Sequence, residues 1–167
     1  MPVDLSARMI DKARERDVYD ELHVGDRFVS RARTVTETDL VAFSGLSGDY
    51  AALHTDEEFA KAGPFGARIA HGCLTLSLAT GLEFSLMGNE PLRILAFYGM
   101  DRVRFVKPVF IGDTIHLEGE VIALEAKDER RGVVTVHQEI RNQRGETVAV
   151  LDKRTLNKTR AADEGEA

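Results

Sequence analysis

The longest run of apolar and small residues, Ala70 to Met87 (AHGCLTLSLATGLEFSLM), contains one charge, Glu83. A stretch apolar nearly all round predicts a buried helix, about 25 Å long at about 1.5 Å per residue. Its two glycines, its hydroxyls and Glu83 mark a core helix rather than a membrane span. Upstream, Leu22 to Val35 reads as a strand after a turn at Val24-Gly25-Asp26. Thr36 and Asp39 read as a helix start, with Leu40, Val41 and Phe43 as its packing face and Gly45 as its end. Thr55 to Glu58 opens a second short helix through Ala62, which Gly63-Pro64-Phe65-Gly66 breaks.

After the apolar run, Gly88 is placed as a C-terminal cap and Pro91 as a stop. The period then changes from helical to alternating. Arg93 to Tyr98 and Arg102 to Val106 flank Gly99, which predicts one long strand with a bulge or bend. Thr114 to Ala126 predicts another strand, and Arg131 to Arg141 with Glu146 to Asn157 predicts a hairpin turned at Asn142-Gln143-Arg144-Gly145. No strand-helix-strand repeat occurs, so the pattern predicts an α+β fold, an antiparallel sheet with one dominant helix. Residues 1–21 read as a charged N-terminal extension, 22–158 as the folded domain and 159–167 as a loose polar tail.

A chain of 167 residues suffices for one domain with a full core. The net charge of −6 disfavours nucleic acid or an anionic membrane as partner. Cys73 is the sole cysteine, so no intrachain disulfide forms, and residues 1–20 hold no apolar run of the secretory kind. Both observations point to a cytoplasmic protein.

The candidate chemistry lies in the loop SGLSGDYAALH before the apolar helix. Asp49 and His54 can both move a proton or hold a water near neutral pH. Five positions apart, they diverge on a regular helix, so convergence requires an irregular path from Tyr50 to Leu53. The first helical turn, at His71 and Gly72, has backbone N–H groups without intrahelical acceptors, and a glycine there lets a ligand oxygen approach. Asp beside Gly is also an ordinary turn residue, and His71 is placed to shape the turn rather than to transfer protons. Cys73 reads as a small core hydrophobe, and Thr80 can bond a carbonyl one turn back. No metal-ligand cluster, phosphate-binding glycine motif or nucleophile elbow is evident.

The segments SGDYAALHTDEEFA, FGARIAHGCLTLSLATGL and YGMDRVRFVKPVFIGDTI resemble the MaoC-like branch of hot-dog-fold proteins, the (R)-specific enoyl-CoA hydratases and related dehydratases. The resemblance spans residues 24–157 and implies a curved antiparallel sheet wrapped around one long helix, as a homodimer. It implies that Asp49 and His54 are the catalytic pair, that the Gly72 N–H receives the thioester oxygen, with His71 beside it, and that Thr80 stands where relatives carry a serine. Arg68, Arg102, Arg104 and Lys107 become candidates for the coenzyme A phosphates. The implied reaction is hydration of an acyl-CoA at the 2,3 double bond, with no metal and no cofactor beyond the coenzyme A of the substrate. The rivals are a thioesterase and a non-catalytic acyl-CoA-binding subunit. Ala51-Ala52 departs from the family's Asn-Pro: proline holds its predecessor extended, whereas alanines favour helix. Residues 55–66 would form a flap over the substrate.

Overall fold

Two-residue alternation turns into buried pairs along three long strands, β4 (Thr114–Asp128), β5 (Arg131–Asn142) and β6 (Thr147–Lys158). The computed structural model describes residues 19–84 and 94–164. The remaining elements are a short 3₁₀ turn (Tyr19–Glu21), β1 (Arg27–Val29), β2 (Arg33–Thr34), α1 (Glu37–Ser47), α2 (Ala52–Thr55), α3 (Glu57–Ala62), α4 (Gly72–Phe84), β3 (Ile94–Phe105) and α5 (Arg160–Glu164). The strands form one antiparallel sheet in the order β1-β4-β5-β6-β3, and β2 also pairs with β4. This is the α+β arrangement expected: one long helix packed on a six-stranded antiparallel sheet.

Leu74, Leu78, Ala79 and Leu82 of α4 join Ile115, Leu117, Ile140 and Leu151 of the sheet in one core. Each buried leucine contributes about 1.5–3 kcal/mol, against about 0.2–0.5 kcal/mol for a pair on a helix surface. Burial therefore holds α4 in place. A buried Lys153 on β6 donates to the carboxylate of Glu83, the one charge of the apolar run. Such a pair adds little net stability, but removing one partner costs about 3–5 kcal/mol, so it fixes the rotation of α4 more than it strengthens the core.

Several boundaries differ from the sequence reading, each for a local reason. The segment Leu22 to Val35 is two strands, because residues 30–32 lie opposite only 116 and 117, an extra residue that makes a bulge. Helix α1 has the expected capping box of Thr36 and Asp39 but runs through Gly45. It ends at Gly48, which takes the left-handed conformation (φ 78°) and donates its N–H to the Ser44 carbonyl. Val41, expected to pack, is exposed. Asp56 caps α3 by accepting from the Phe59 N–H, so Thr55 closes α2 instead of opening α3.

Helix α4 starts two residues late because the Ala70 N–H donates to the Val109 carbonyl and Ile69 bridges Phe110. Its buried character is one-sided: Cys73, Ser77, Thr80 and Phe84 form an exposed stripe. Cys73 is thus on the surface, not in the core. Strand β3 has the expected irregularity around Gly99, and two more, between Ile94 and Ala96 and at Arg102, whose φ is 53°. Among the described residues it pairs with β6 alone, and Leu95, Phe97 and Tyr98 are exposed. The C-terminal segment, expected to be loose, carries α5: Ala162 is buried and the Arg160 N–H donates to Asp20. The Gly88 cap and most of the N-terminal extension lie outside the described residues.

The Ala51-Ala52 departure leaves the chain path extended where proline would require it. Ala51 has φ −53° and ψ 135°, and Ala52 opens α2. Ala52 is therefore the first helical position, where proline is favoured. Ala52→Pro is expected to stabilise the fold by about 0.4–1 kcal/mol and to keep whatever activity the wild type has; a lower urea midpoint would show that the Ala52 N–H is needed. Gly119 on β4 lies under the ring of Phe28, and a methyl group there would sit 2.2 Å from the ring. Gly119→Ala is expected to cost about 1–3 kcal/mol by overpacking, read as a lower midpoint in the same melt.

Candidate active site

Three consecutive residues before and at the start of α4 set the site. Ile69 is tied to α2 from both its backbone groups: its N–H donates to the Leu53 carbonyl at 3.4 Å, and its carbonyl lies 2.7 Å from His54 Nδ1. A carbonyl only accepts, so Nδ1 carries a proton and, in the neutral ring, Nε2 presents a lone pair. Ala70 is anchored to Val109. His71 follows, 2% exposed, with its ring stacked on that of His54 at 3.8 Å between centroids and 29° between planes. Phe43 of α1 packs on the other side of His71, 5.0 Å away.

Asp49 sits in the bend between Gly48 and α2. Its carboxylate accepts the Ala51 N–H at 3.2 Å, the local turn that short acidic side chains favour. Its carbonyl lies 3.0 Å from His71 Nε2, which is also 3.3 Å from the buried Ser44 hydroxyl. Asp49, His54 and His71 each place one carboxylate or ring-nitrogen atom within 4.8 Å of the others. The irregular stretch that allows this lies earlier than expected: Gly48 to Ala51 is non-helical, and Leu53 and His54 already belong to α2.

Sequence spacing shows no metal-ligand cluster, yet the fold assembles these three donor groups from separate segments. Their geometry suits an ion poorly. His54 Nδ1 and His71 Nε2 are engaged by carbonyls, and the rings lie face to face. An ion about 2.1 Å from a nitrogen of each, the usual bond length for zinc, cannot lie near both ring planes.

The start of α4 places the Gly72 N–H among the unpaired donors of the first turn. The Phe105 ring covers the glycine, and a methyl group there would lie 2.8 Å from it. Thr80 stands two turns further along, exposed, donating its hydroxyl to the Ser77 carbonyl. It is not part of the cluster.

The four phosphate candidates, two of them on β3 and two in connecting segments, have separate partners. Arg68 is forked onto Glu37 at 2.7 Å and onto Glu57 at 2.8 Å, which pushes its already high pKa further up. Arg102 pairs with the buried Asp152, Lys107 lies 2.6 Å from Glu146, and Arg104 donates to the Val103 carbonyl. The Glu146 carboxyl is pulled down to about 2 by the Asn142 amide first, then by Lys107 and Arg144. Ser44, Phe43 and the Ile69 carbonyl were not legible as site groups. A serine inside a helix and a backbone carbonyl carry no sequence signal of their own.

Comparison with known proteins places this geometry in context. The MaoC like domain matches residues 22–143. Over 92 residues, 55% of this chain and 61% of the relative, the chain is 34% identical to 3-hydroxyacyl-thioester dehydratase Z of Mycobacterium tuberculosis. The chain spans less than two thirds of the length of the first curated relatives it matches. A solved structure titled as a monoamine oxidase regulatory protein from Archaeoglobus superposes with a TM-score of 0.80 at 40% identity, over 92% of this chain and 97% of that one. The unliganded (R)-hydratase of Pseudomonas aeruginosa superposes with a TM-score of 0.65 at 27% identity, over 85% and 86%. With the domain match covering most of its length and hot-dog-fold proteins as its structural neighbours, the chain belongs to the MaoC-like dehydratase family.

Proposed function

We propose that this chain is an enoyl-CoA hydratase acting reversibly as a 3-hydroxyacyl-CoA dehydratase, adding water across the 2,3 double bond of an acyl-CoA thioester. The observation that carries the reading is the orientation of His54. With Nδ1 held by the Ile69 carbonyl, Nε2 is the nitrogen left to take a proton from water, on a ring that has a nitrogen within 4.8 Å of an Asp49 carboxylate oxygen. The dehydratase and the (R)-hydratase to which the chain is similar support the reaction class.

In this reading Asp49 and His54 hold one water between them. Conjugation with the thioester makes C3 electrophilic, and attack there pushes charge onto the carbonyl oxygen. The Gly72 N–H at the start of α4 faces that charge, and one such donor is worth about 3 kcal/mol of barrier. The water's proton passes to the pair, and a proton returns to C2, so the hydration balances with no redox partner and no cofactor beyond the coenzyme A of the substrate. Arg104, whose guanidinium meets a carbonyl instead of a carboxylate, is the phosphate candidate least engaged by a counter-charge. The edge of β3 that no described strand covers fits pairing with a second copy. The single cysteine fits a reducing cytoplasm, and no described helix is long and apolar enough to cross a membrane.

Asp49→Ala and His54→Ala are each expected to lower turnover by about a hundredfold or more, the loss typical of acid-base catalysis. The assay follows enoyl absorbance and free thiol together over a panel of enoyl-CoA thioesters, with circular dichroism to show that the variants fold. Near-normal rates in both folded variants would remove the pair from the mechanism. Thiol release by the wild type would make it a thioesterase, and binding without either signal would make it a carrier subunit.

A further inference from the structure

We infer that His71 is a positioning residue for the water-activating pair, working through Asp49 and His54 rather than on the substrate. The inference rests on the hydratase reading. Because the Asp49 carbonyl can only accept, His71 Nε2 carries a proton, and in the neutral ring Nδ1 is a bare acceptor. That Nδ1 is buried without a partner among the described residues. An unmet buried acceptor is costly, and a phenylalanine would pack against Phe43 and His54 without it. Two contacts explain a histidine here. Its N–H holds the carbonyl of Asp49, which fixes where that residue's side chain leaves the bend. Its ring face supports His54 at 3.8 Å. When His54 Nε2 takes the water's proton, the imidazolium rests on a flat aromatic neighbour, an arrangement of the cation–π kind.

His71→Phe keeps a ring against His54 and loses the N–H; His71→Gln keeps an N–H and loses the ring; His71→Ala loses both. In the enoyl-thioester assay, Phe and Gln are each expected to fall between wild type and Ala. The kcat of His71→Phe should drop about tenfold or more, as sub-ångström misplacement does, with KM within about threefold of wild type. In an Asp49→Ala background, His71→Phe should cost little further, because the side chain that its lost N–H positions is gone. A raised KM with unchanged kcat, or the same loss with and without the Asp49 side chain, would overturn the proposal. Long-range ¹H–¹⁵N spectra of the full-length protein give a readout that needs no turnover. They are expected to show His71 protonated at Nε2 and His54 at Nδ1, with His54 moving toward mixed tautomers in His71→Ala. His71 protonated at Nδ1 would also overturn it. The expected tautomers in a wild type that hydrates no enoyl thioester would sink the hydratase reading alone. Should His71→Ala not fold, the Phe and Gln variants carry both tests.

Discussion

The hydrogen bond from the Ala70 N–H to the Val109 carbonyl decides where the long helix begins, and the site follows from that start. One residue before it, the Ile69 carbonyl faces α2 and selects the tautomer of His54. One residue after it, His71 turns into the space between α1 and α2 and reaches both members of the pair. A shift of α4 by one residue would move all three groups together. The bond is itself held at a distance: Val109 and Phe110 are placed by Asp113, whose carboxylate accepts the Phe110 N–H and pairs with Arg144 at 2.9 Å. Burial alone would raise the Asp113 pKa, but these donors outweigh it and hold the carboxyl below its usual range.

Much of the fold was legible because it rests on period. The hairpin at Asn142 to Gly145, the capping box at Thr36 and the apolar run around Leu74 to Leu82 each carry a local signal that tertiary packing did not override. What escaped was decided by partners far along the chain. Cys73 looked like core because its neighbours are apolar, yet it faces outward, since only one side of α4 meets the sheet. Gly45 looked like a helix end, but three residues later Gly48 adopts the left-handed conformation that ends α1. The Asp49 and His54 pairing could be inferred only with a bend supplied, and the bend lies at Asp49 to Ala51. The contribution of Ile69 is a backbone carbonyl, which has no letter in a sequence.

Charge shows a similar division between what is visible and what is not. The count gives an acidic chain, while the structure shows that the basic residues near the site are mostly engaged. Arg68 clasps the first turns of α1 and α3 together through Glu37 and Glu57, so the loop leading into α4 is braced against both short helices that flank the pair. Solvent-exposed carboxylates weaken such a clasp in salt. Its value lies in geometry more than in energy: a bidentate guanidinium fixes distance and angle at once.

The ion pair between Glu83 and Lys153 has a consequence for how this sequence can drift. Replacing either residue singly strands a charge in a dry interior, while replacing both with apolar residues of like volume is tolerated in comparable cores. The two positions, seventy apart along the chain, are thus expected to change as a couple among descendants. In lineages where they have changed together, the rotational setting of α4 would be left to leucine packing alone.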